Sequence, residues 1–469
     1  MLDQSFSAHN FDIIYNIESR RGNIDIKTMP EGYRCIIAQT EEIKRIISSL
    51  RGKKDKTLSE TEELENKKSE LKDLMESKKV ALQVYLEQIE KETNSHEFRI
   101  TLKKFKASDG KEVFTINSAS NAHIFAVKQL QYNIRHTFKV KQANRHNILS
   151  NIKTFLNSNI PVYIIRTDIS GFYESIPHDK LLPMIMDNTL LSYKSKAFIK
   201  GIIREYESIK DTALVVSGLG VPRGIGISSY LSELYMRNLD AKIVGRRNVM
   251  FYARYVDDIF LVLSTLPTGM TLKKYYDDMT ADFNAYGLSL KQPDDGSDKC
   301  KLIDFTTADH EEIKMNYLGY NLYMSRNNNT LKTSFGLSDE KKTRYKKRID
   351  SSITHFETLS KCDVKQAYHN LIDSLNFITG NFKLFKTKSG VKVGLRYNND
   401  LLDRLDELDE LTKYLQTHPI APYVGLKDNA NIKDKLSKRI AKIDFKQRWN
   451  ERKMFTFSLQ RINEIEKWI

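Results

Sequence analysis

Residues 251–260 read FYARYVDDIF, and the pair Asp257 and Asp258 stands in the middle of a run that is otherwise aromatic, β-branched or apolar. Phe251, Tyr252, Tyr255, Val256, Ile259 and Phe260 favour a strand. Two adjacent carboxylates repel each other there and resist burial unless a cation lies between them. A divalent metal ion is the simplest such cation. The pattern reads as two strands joined by a hairpin turn at the aspartates, which favours an antiparallel α+β sheet over a doubly wound one.

A third carboxylate is available upstream. Asp168 ends the apolar strand PVYIIRTD (161–168), and this segment and the 251–260 segment could be neighbours in one sheet. Three carboxylates in one small volume are stable at neutral pH only with divalent cations or strongly raised pKa values, and hard oxygen ligands with open positions suit Mg²⁺. Two such ions roughly 4 Å apart can activate an attacking 3′-hydroxyl and stabilise a leaving pyrophosphate. That is polymerase chemistry.

The composition is compatible with this reading. The 469 residues are enough for two to four domains or subdomains, and the formal charge of +15, from 75 Lys and Arg against 60 Asp and Glu, favours a polyanionic partner. Cys35, Cys300 and Cys362 lie far apart without CxxC spacing, so neither a disulfide framework nor a cysteine zinc site is indicated, which fits a reducing, cytoplasmic setting. The N-terminus lacks the basic head and apolar stretch of a signal peptide, and no apolar run approaches the roughly 20 residues needed to span a bilayer. The ten histidines show no HExxH-like spacing, so His123, His136 and His146 read as structural or phosphate-facing.

Along the chain, residues 41 to about 92 are highly charged, with Leu64, Leu71, Leu74, Leu82, Leu86 and Ile89 at helical spacing. A capping box at Thr57 and Glu60 and a break over 51–57 predict a helical pair, either packed on the body of the protein or offering a partner surface. Residues 98–116 read as a β-hairpin turning at Asp109–Gly110, 121–158 as helical, and 217–229, SGLGVPRGIGISS, as a small-residue loop. Beyond about 335 the chain is helical and basic, starting after an N-cap at Asp339 and interrupted by a hairpin over 383–397.

Five segments in order resemble the motifs of reverse transcriptases. DISGFYESI looks like the first catalytic motif, GVPRGIGISSYLSELYM like the glycine-centred motif at the nucleotide and template site, and YVDD like the hallmark tetrapeptide. GLSLKQPDDGSDKCKLIDF and NYLGYNLYM fit the two that follow, so the resemblance covers about 160–325. The flanks KVKQANRHNILSNIKTFL and FITGNFKLFKTKSGVKVGLRYNN resemble the defence-associated and abortive-infection group of bacteria. No RNase H, integrase, protease or zinc-bearing endonuclease motif is visible.

The resemblance implies a right-hand polymerase of the α+β class with mainly helical terminal regions. Its parts would be an N-terminal extension over 1–95, fingers over 96–160, a palm over 161–330 and a helical, basic thumb or C-terminal domain over 331–469. It implies two Mg²⁺ held by Asp168, Asp257 and Asp258 with the Ile169 carbonyl. It places Tyr173 as the aromatic gate against a 2′-hydroxyl, with Phe172 in the core. Lys299 matches the lysine that protonates pyrophosphate, with Lys291 and Lys301 as competitors. Gly224 and Gly226 would let the backbone approach the base pair or serve as turn glycines, and Arg223 stands where glutamine is usual, able to contact triphosphate or template backbone.

Arg99, Lys103 and Lys106 are candidates for the triphosphate. Lys141 and Arg145 could face a nucleic-acid backbone, and Lys341, Lys342, Arg344, Lys346, Lys347 and Arg348 could grip duplex phosphates or form a solvated basic face. Expected partners are a deoxynucleotide, an RNA template or non-coding RNA and a DNA product, without a membrane; a homo-oligomer or a companion defence protein stays open. Three rivals remain: template-independent or protein-primed DNA synthesis on the same fold, an RNA-directed RNA polymerase, and a non-catalytic nucleic-acid-binding protein.

Overall fold

The computed structural model describes residues 2–21, 23–53, 57–107, 110–117, 120–157, 160–211, 216–293, 298–306, 310–327, 330–384, 391–418, 426 and 429–469. Asp109 of the expected turn, the centre of the 51–57 break, residues 294–297 and the tip of the hairpin over 383–397 lie outside them.

In chain order the elements begin with α1 (Ala8–Arg20), α2 (Glu31–Gly52), α3 (Leu58–Asn94), β1 (Leu102–Lys106), β2 (Glu112–Ile116), α4 (Asn121–Phe138) and α5 (Arg145–Leu156). There follow β3 (Tyr163–Ser170), α6 (Phe172–Ser175), α7 (His178–Met186), α8 (Tyr193–Ile209), α9 (Gly226–Val244), β4 (Val249–Tyr255), β5 (Asp258–Leu263), α10 (Leu272–Ala285), β6 (Ser289–Leu290) and β7 (Lys301–Asp304). The chain continues through β8 (His310–Tyr317), β9 (Tyr320–Asn327), β10 (Thr330–Leu337), α11 (Asp339–Leu359), α12 (Val364–Thr379), β11 (Asn381–Leu384) and β12 (Val391–Gly394). It ends with α13 (Asp406–Thr417), α14 (Ala430–Ala441), α15 (Phe445–Asn450) and α16 (Leu459–Ile465). Two compact units result, the first from Met1–Gln142 and Gly171–Arg237, the second from Ala143–Ser170 and Asn238–Ile469.

In the first unit the expected helical pair is α2 with α3, joined by Ile43, Ile47, Leu50 and Leu64. The Thr57 hydroxyl accepts from the Glu60 N–H while the Glu60 carboxylate accepts from the Thr57 N–H, closing the capping box that starts α3. The β1–β2 hairpin runs from Leu102 opposite Ile116 to Lys106 opposite Glu112. Its strand starts later than the sequence suggests, so Arg99 precedes β1 rather than lying on it.

In the second unit, β3 is the centre of an antiparallel sheet with β4–β5 on one side and β6 and β7 on the other. Ile164 of β3 and Phe260 and Val262 of β5 are fully buried, and they pack with Ile152 of α5 and with Met315, Tyr317, Leu322 and Phe335 of the β8–β9–β10 sheet. Burial of each such side chain contributes roughly 1.5–3 kcal/mol, enough to fix which face of β3 points inward. A second core, including Leu337, Ile349, Phe356, Leu375, Leu411 and Phe445, holds the C-terminal helices. The cap of α11 is Ser338, whose side chain accepts from the Lys341 N–H; Asp339 is instead the first helical residue and faces Lys314 at 2.6 Å. Serine and aspartate both cap well, and the adjacent serine takes the extended backbone the cap requires.

Candidate active site

β3 and β5 pair antiparallel, with Asp168 directly opposite Asp258 and the Ile169 N–H donating to the Asp257 carbonyl at 3.0 Å. The β4–β5 turn holds Val256 and Asp257, closed by Tyr255 opposite Asp258. Val256 has φ +59°, a conformation that β-branched residues avoid and that costs of order 1–3 kcal/mol. The Arg254 bond to the Val256 carbonyl and the Ile169 N–H bond to the Asp257 carbonyl offset that strain, and the two-residue turn puts Asp257 beside the end of β3. Carboxylate oxygens of Asp168, Asp257 and Asp258 lie within 4.8 Å of one another.

Three side chains around this cluster carry its charge and geometry. Arg166, two residues before Asp168 and on the same face of β3, places Nη2 3.0 Å from Asp258 Oδ1 and donates through Nη1 to the Asp298 carbonyl. Lys299 donates to Asp168 Oδ2 at 2.8 Å. Arg254 reaches from β4 to the Val256 carbonyl at 2.8 Å and holds Asp240 through Nε and Nη2, while the Tyr252 hydroxyl donates to the same Asp240. A guanidinium fork of this kind fixes the strained turn from below. On the other side, Tyr276 bonds the Thr167 hydroxyl and the Lys291 carbonyl, and the Lys291 N–H donates to the Asp168 carbonyl at 2.9 Å.

The electrostatics favour a cation. Burial pushes the Asp258 carboxyl up to about 6, against the pull of Arg166 and with the repulsion of Asp168 and Asp257 adding to it. For Lys299 burial favours the neutral amine, but the hydrogen bond to Asp168 outweighs it and raises the ammonium above its ordinary value. Asp168 Oδ1 is buried and has no hydrogen-bond partner among the described residues. A carboxylate oxygen in that state leaves a full desolvation penalty uncompensated, and with two further carboxylates beside it the donor set suits a hard divalent ion.

Arg166, Arg254, Asp240 and Tyr276 escaped the sequence reading. An arginine inside an otherwise apolar strand, two residues before Asp168, was the available signal for the first. The second and third are joined across fourteen residues and two elements, which no local pattern reveals.

The other expected residues are placed as follows. In the first unit the Arg223 guanidinium lies 5.8 Å from the centre of the Tyr173 ring and pairs with Glu174 at 3.4 Å. Arg223, Glu174, Glu112 and Tyr206 line a cavity of about 310 Å³. Gly224 has φ +99°, and a Cβ there would stand 2.6 Å from the Phe114 carbonyl and from Val113, so this glycine lets the loop dock on β2. A Cβ at Gly226 would meet the Gln131 side chain at 2.6 Å. Lys103, Lys106 and Lys141 are exposed, and the Arg99 Nη1 donates to the His96 and Phe98 carbonyls.

In the second unit Arg145 donates to the Leu318 carbonyl at 2.7 Å, and its buried Nη2 has no hydrogen-bond partner among the described residues. Lys341 is bonded to Asn399 and lies 4.3 Å from the Tyr320 ring centre; burial, helped by Arg145 and Arg344, lowers it to about 7. Lys342 faces Asp339 and Glu407, both at 3.4 Å, and Lys346 lies over the Tyr414 ring. Arg344 and Lys347 are exposed, and Arg348 is half-buried. Lys301 pairs with Asp298 at 2.6 Å and donates to the Lys314 carbonyl at 2.9 Å.

Residues 115–322 match the family described as reverse transcriptase (RNA-dependent DNA polymerase). No curated protein matches the chain. Solved structures similar to it include telomerase from Candida albicans in complex with a TWJ fragment of telomeric RNA, at 12% identity and TM-score 0.33, covering 81% of this chain and 62% of that one. Telomerase from Candida tropicalis in complex with a TWJ fragment of telomeric RNA is 13% identical, at TM-score 0.34, over 92% of this chain and 89% of that one. The apo Candida tropicalis enzyme truncated from its C-terminal domain is 15% identical, at TM-score 0.34, over 69% and 86%. The fold is that of a right-hand polymerase, and the domain match supports a nucleotidyltransferase. Among the described residues no helix is long and apolar enough to cross a membrane.

Proposed function

We propose that the chain is a cytoplasmic reverse transcriptase that adds deoxynucleotides to a 3′-hydroxyl on an RNA template, in a bacterial antiphage defence role. The observation that carries this is the buried, unpartnered Oδ1 of Asp168, directly opposite Asp258 and beside the strained turn that presents Asp257. Asp168, Asp257 and Asp258, with the Ile169 carbonyl, would hold two Mg²⁺. Bound there, the ions supply positive charge that acidifies the attacking hydroxyl and neutralises the departing pyrophosphate.

The protein's own groups do the rest. Arg166 keeps Asp258 ionised against burial and two like charges. Lys299, held protonated by Asp168, has a proton to give to the leaving pyrophosphate. Tyr173 would close the sugar pocket to a 2′-hydroxyl, with Arg223 and Glu174 setting its position and Lys103 and Arg223 as candidates for the triphosphate. Fingers over 96–160, palm over 161–330 and thumb from 331, after an N-terminal extension, remain our assignment of the parts. The defence role is supported by the resemblance of the flanking segments.

A second reading rests on Arg223. It stands where glutamine is usual and is engaged by Glu174, which favours altered template use, either template-independent or protein-primed synthesis. The test is to supply labelled deoxynucleotides and Mg²⁺ to the purified protein with its co-purifying nucleic acid retained or removed by nuclease. Incorporation that is lost with the RNA supports RNA templating, whereas incorporation that survives nuclease supports the second reading. No incorporation in either arm contradicts both.

A further inference from the structure

On the first unit, the segment 96–100 and one face of α8 enclose a groove of about 960 Å³. Lys196, Lys200 and Arg204 line it from α8 at four-residue intervals, which the 1.5 Å helical rise sets about 6 Å apart on one face. That is the spacing of consecutive phosphates along an unstacked strand. Lys200 and Arg204 are exposed, and among the described residues neither has an ion-pair or hydrogen-bond partner. Arg99 lines the same groove from the 96–100 segment, its Nη1 bonded to the His96 and Phe98 carbonyls.

Aromatic and backbone features complete the groove. Tyr193, in the first turn of α8 and on the same face, is 87% exposed, so its ring offers a flat apolar surface that folding leaves uncovered. Gly201 lies between Lys200 and Arg204 on that face, and a Cβ there would meet nothing. Glycine inside a helix costs roughly 0.5–1 kcal/mol relative to alanine, and here no tight contact accounts for it; its effect is to keep the floor of the groove bare. Glu205, the acidic member of the lining, accepts from the Leu102 N–H.

We propose that this groove binds single-stranded nucleic acid, with Lys200, Arg204 and Arg99 on successive phosphates and a base stacked on Tyr193. Evenly spaced cations beside an exposed aromatic ring form the sequence-tolerant platform that single strands recognise, whereas a duplex keeps its base faces covered. The site uses none of Asp168, Asp257 or Asp258, so it stands or falls apart from the catalytic reading.

The test is fluorescence anisotropy of labelled oligouridylate and oligothymidylate with the full-length protein in EDTA, over a range of salt. The Lys200→Ala/Arg204→Ala variant should weaken binding and reduce the log–log salt slope by about 1.4, two phosphate contacts at about 0.7 each. Tyr193→Ala should weaken binding about tenfold, and Tyr193→Phe should retain it. Equal losses for both strands support a sugar-neutral site, and loss for RNA alone supports an RNA site. Unchanged affinity and slope in the double variant overturn the proposal. So does wild-type binding by Tyr193→Ala together with polyglutamate competing through Lys200 and Arg204, which would assign the groove to an acidic protein.

Discussion

Arg166 Nη2 lies 3.0 Å from Asp258 Oδ1, so the one guanidinium buried in β3 neutralises the carboxylate that stands directly across from Asp168. Without it, burial and two like charges act on Asp258 against the weaker pull of Lys299 alone. Arg166→Gln should lower stability by about 2 kcal/mol, the worth of a charge-assisted hydrogen bond, measured by urea unfolding. It should also move the acidic limb of the pH–rate profile upward, with Arg166→Lys intermediate. An unmoved limb would mean that Arg166 serves packing alone.

The same carboxyl sets a pH dependence of stability. Its folded value of about 6 lies above the ordinary 3.8, so its contribution is fully present below 3.8 and is lost as pH rises through 6. In EDTA the Tm should therefore fall between those values, and Asp258→Asn should remove that part of the fall. Mg²⁺ should raise Tm more at pH 8 than at pH 5, because the proton competes for the same oxygens. Thermal unfolding with and without Mg²⁺ across this range checks both signs.

The hairpin at Asp257 and the strand carrying Asp168 were legible because period-2 apolar patterns and a polar pair at a turn are local signals, although that strand runs on to Ser170. Their register was not, since Asp168 opposite Asp258 is a long-range pairing. Arg254 with Asp240, and Tyr276 with Thr167, are likewise set only once the chain is folded. Arg99 was misplaced because FRITLKKF is strand-like throughout, whereas pairing begins only where Leu102 finds Ile116. Ser338 and Asp339 compete for one cap position, and propensity does not separate them.

Tyr173 sits beneath the Arg223 guanidinium, which Glu174 holds. Tyr173→Ala should raise ribonucleotide incorporation relative to deoxynucleotide, and Glu174→Gln should do so more weakly by releasing Arg223. Competition kinetics with paired nucleotides reads this directly, and an unchanged preference in Tyr173→Ala removes it as the gate.

Gly224 has a positive φ and a Cβ there would stand 2.6 Å from the Phe114 carbonyl, next to the point where the Phe114 N–H donates to the Arg223 carbonyl at 2.7 Å. Gly224→Ala should cost more than about 1 kcal/mol of stability, since strain and collision act together. Gly201→Ala, in open space, should be neutral or stabilising by up to about 1 kcal/mol. Denaturant midpoints of the two variants provide the comparison.

The most direct measurement is single-turnover addition of one deoxynucleotide to a primed RNA template with Mg²⁺, by the wild type and by Asp257→Asn. A metal-bearing aspartate cluster predicts addition by the wild type and a loss in Asp257→Asn of at least about a thousandfold, or roughly 4 kcal/mol of barrier. Equal rates in the two proteins, or addition that persists in EDTA, would contradict it.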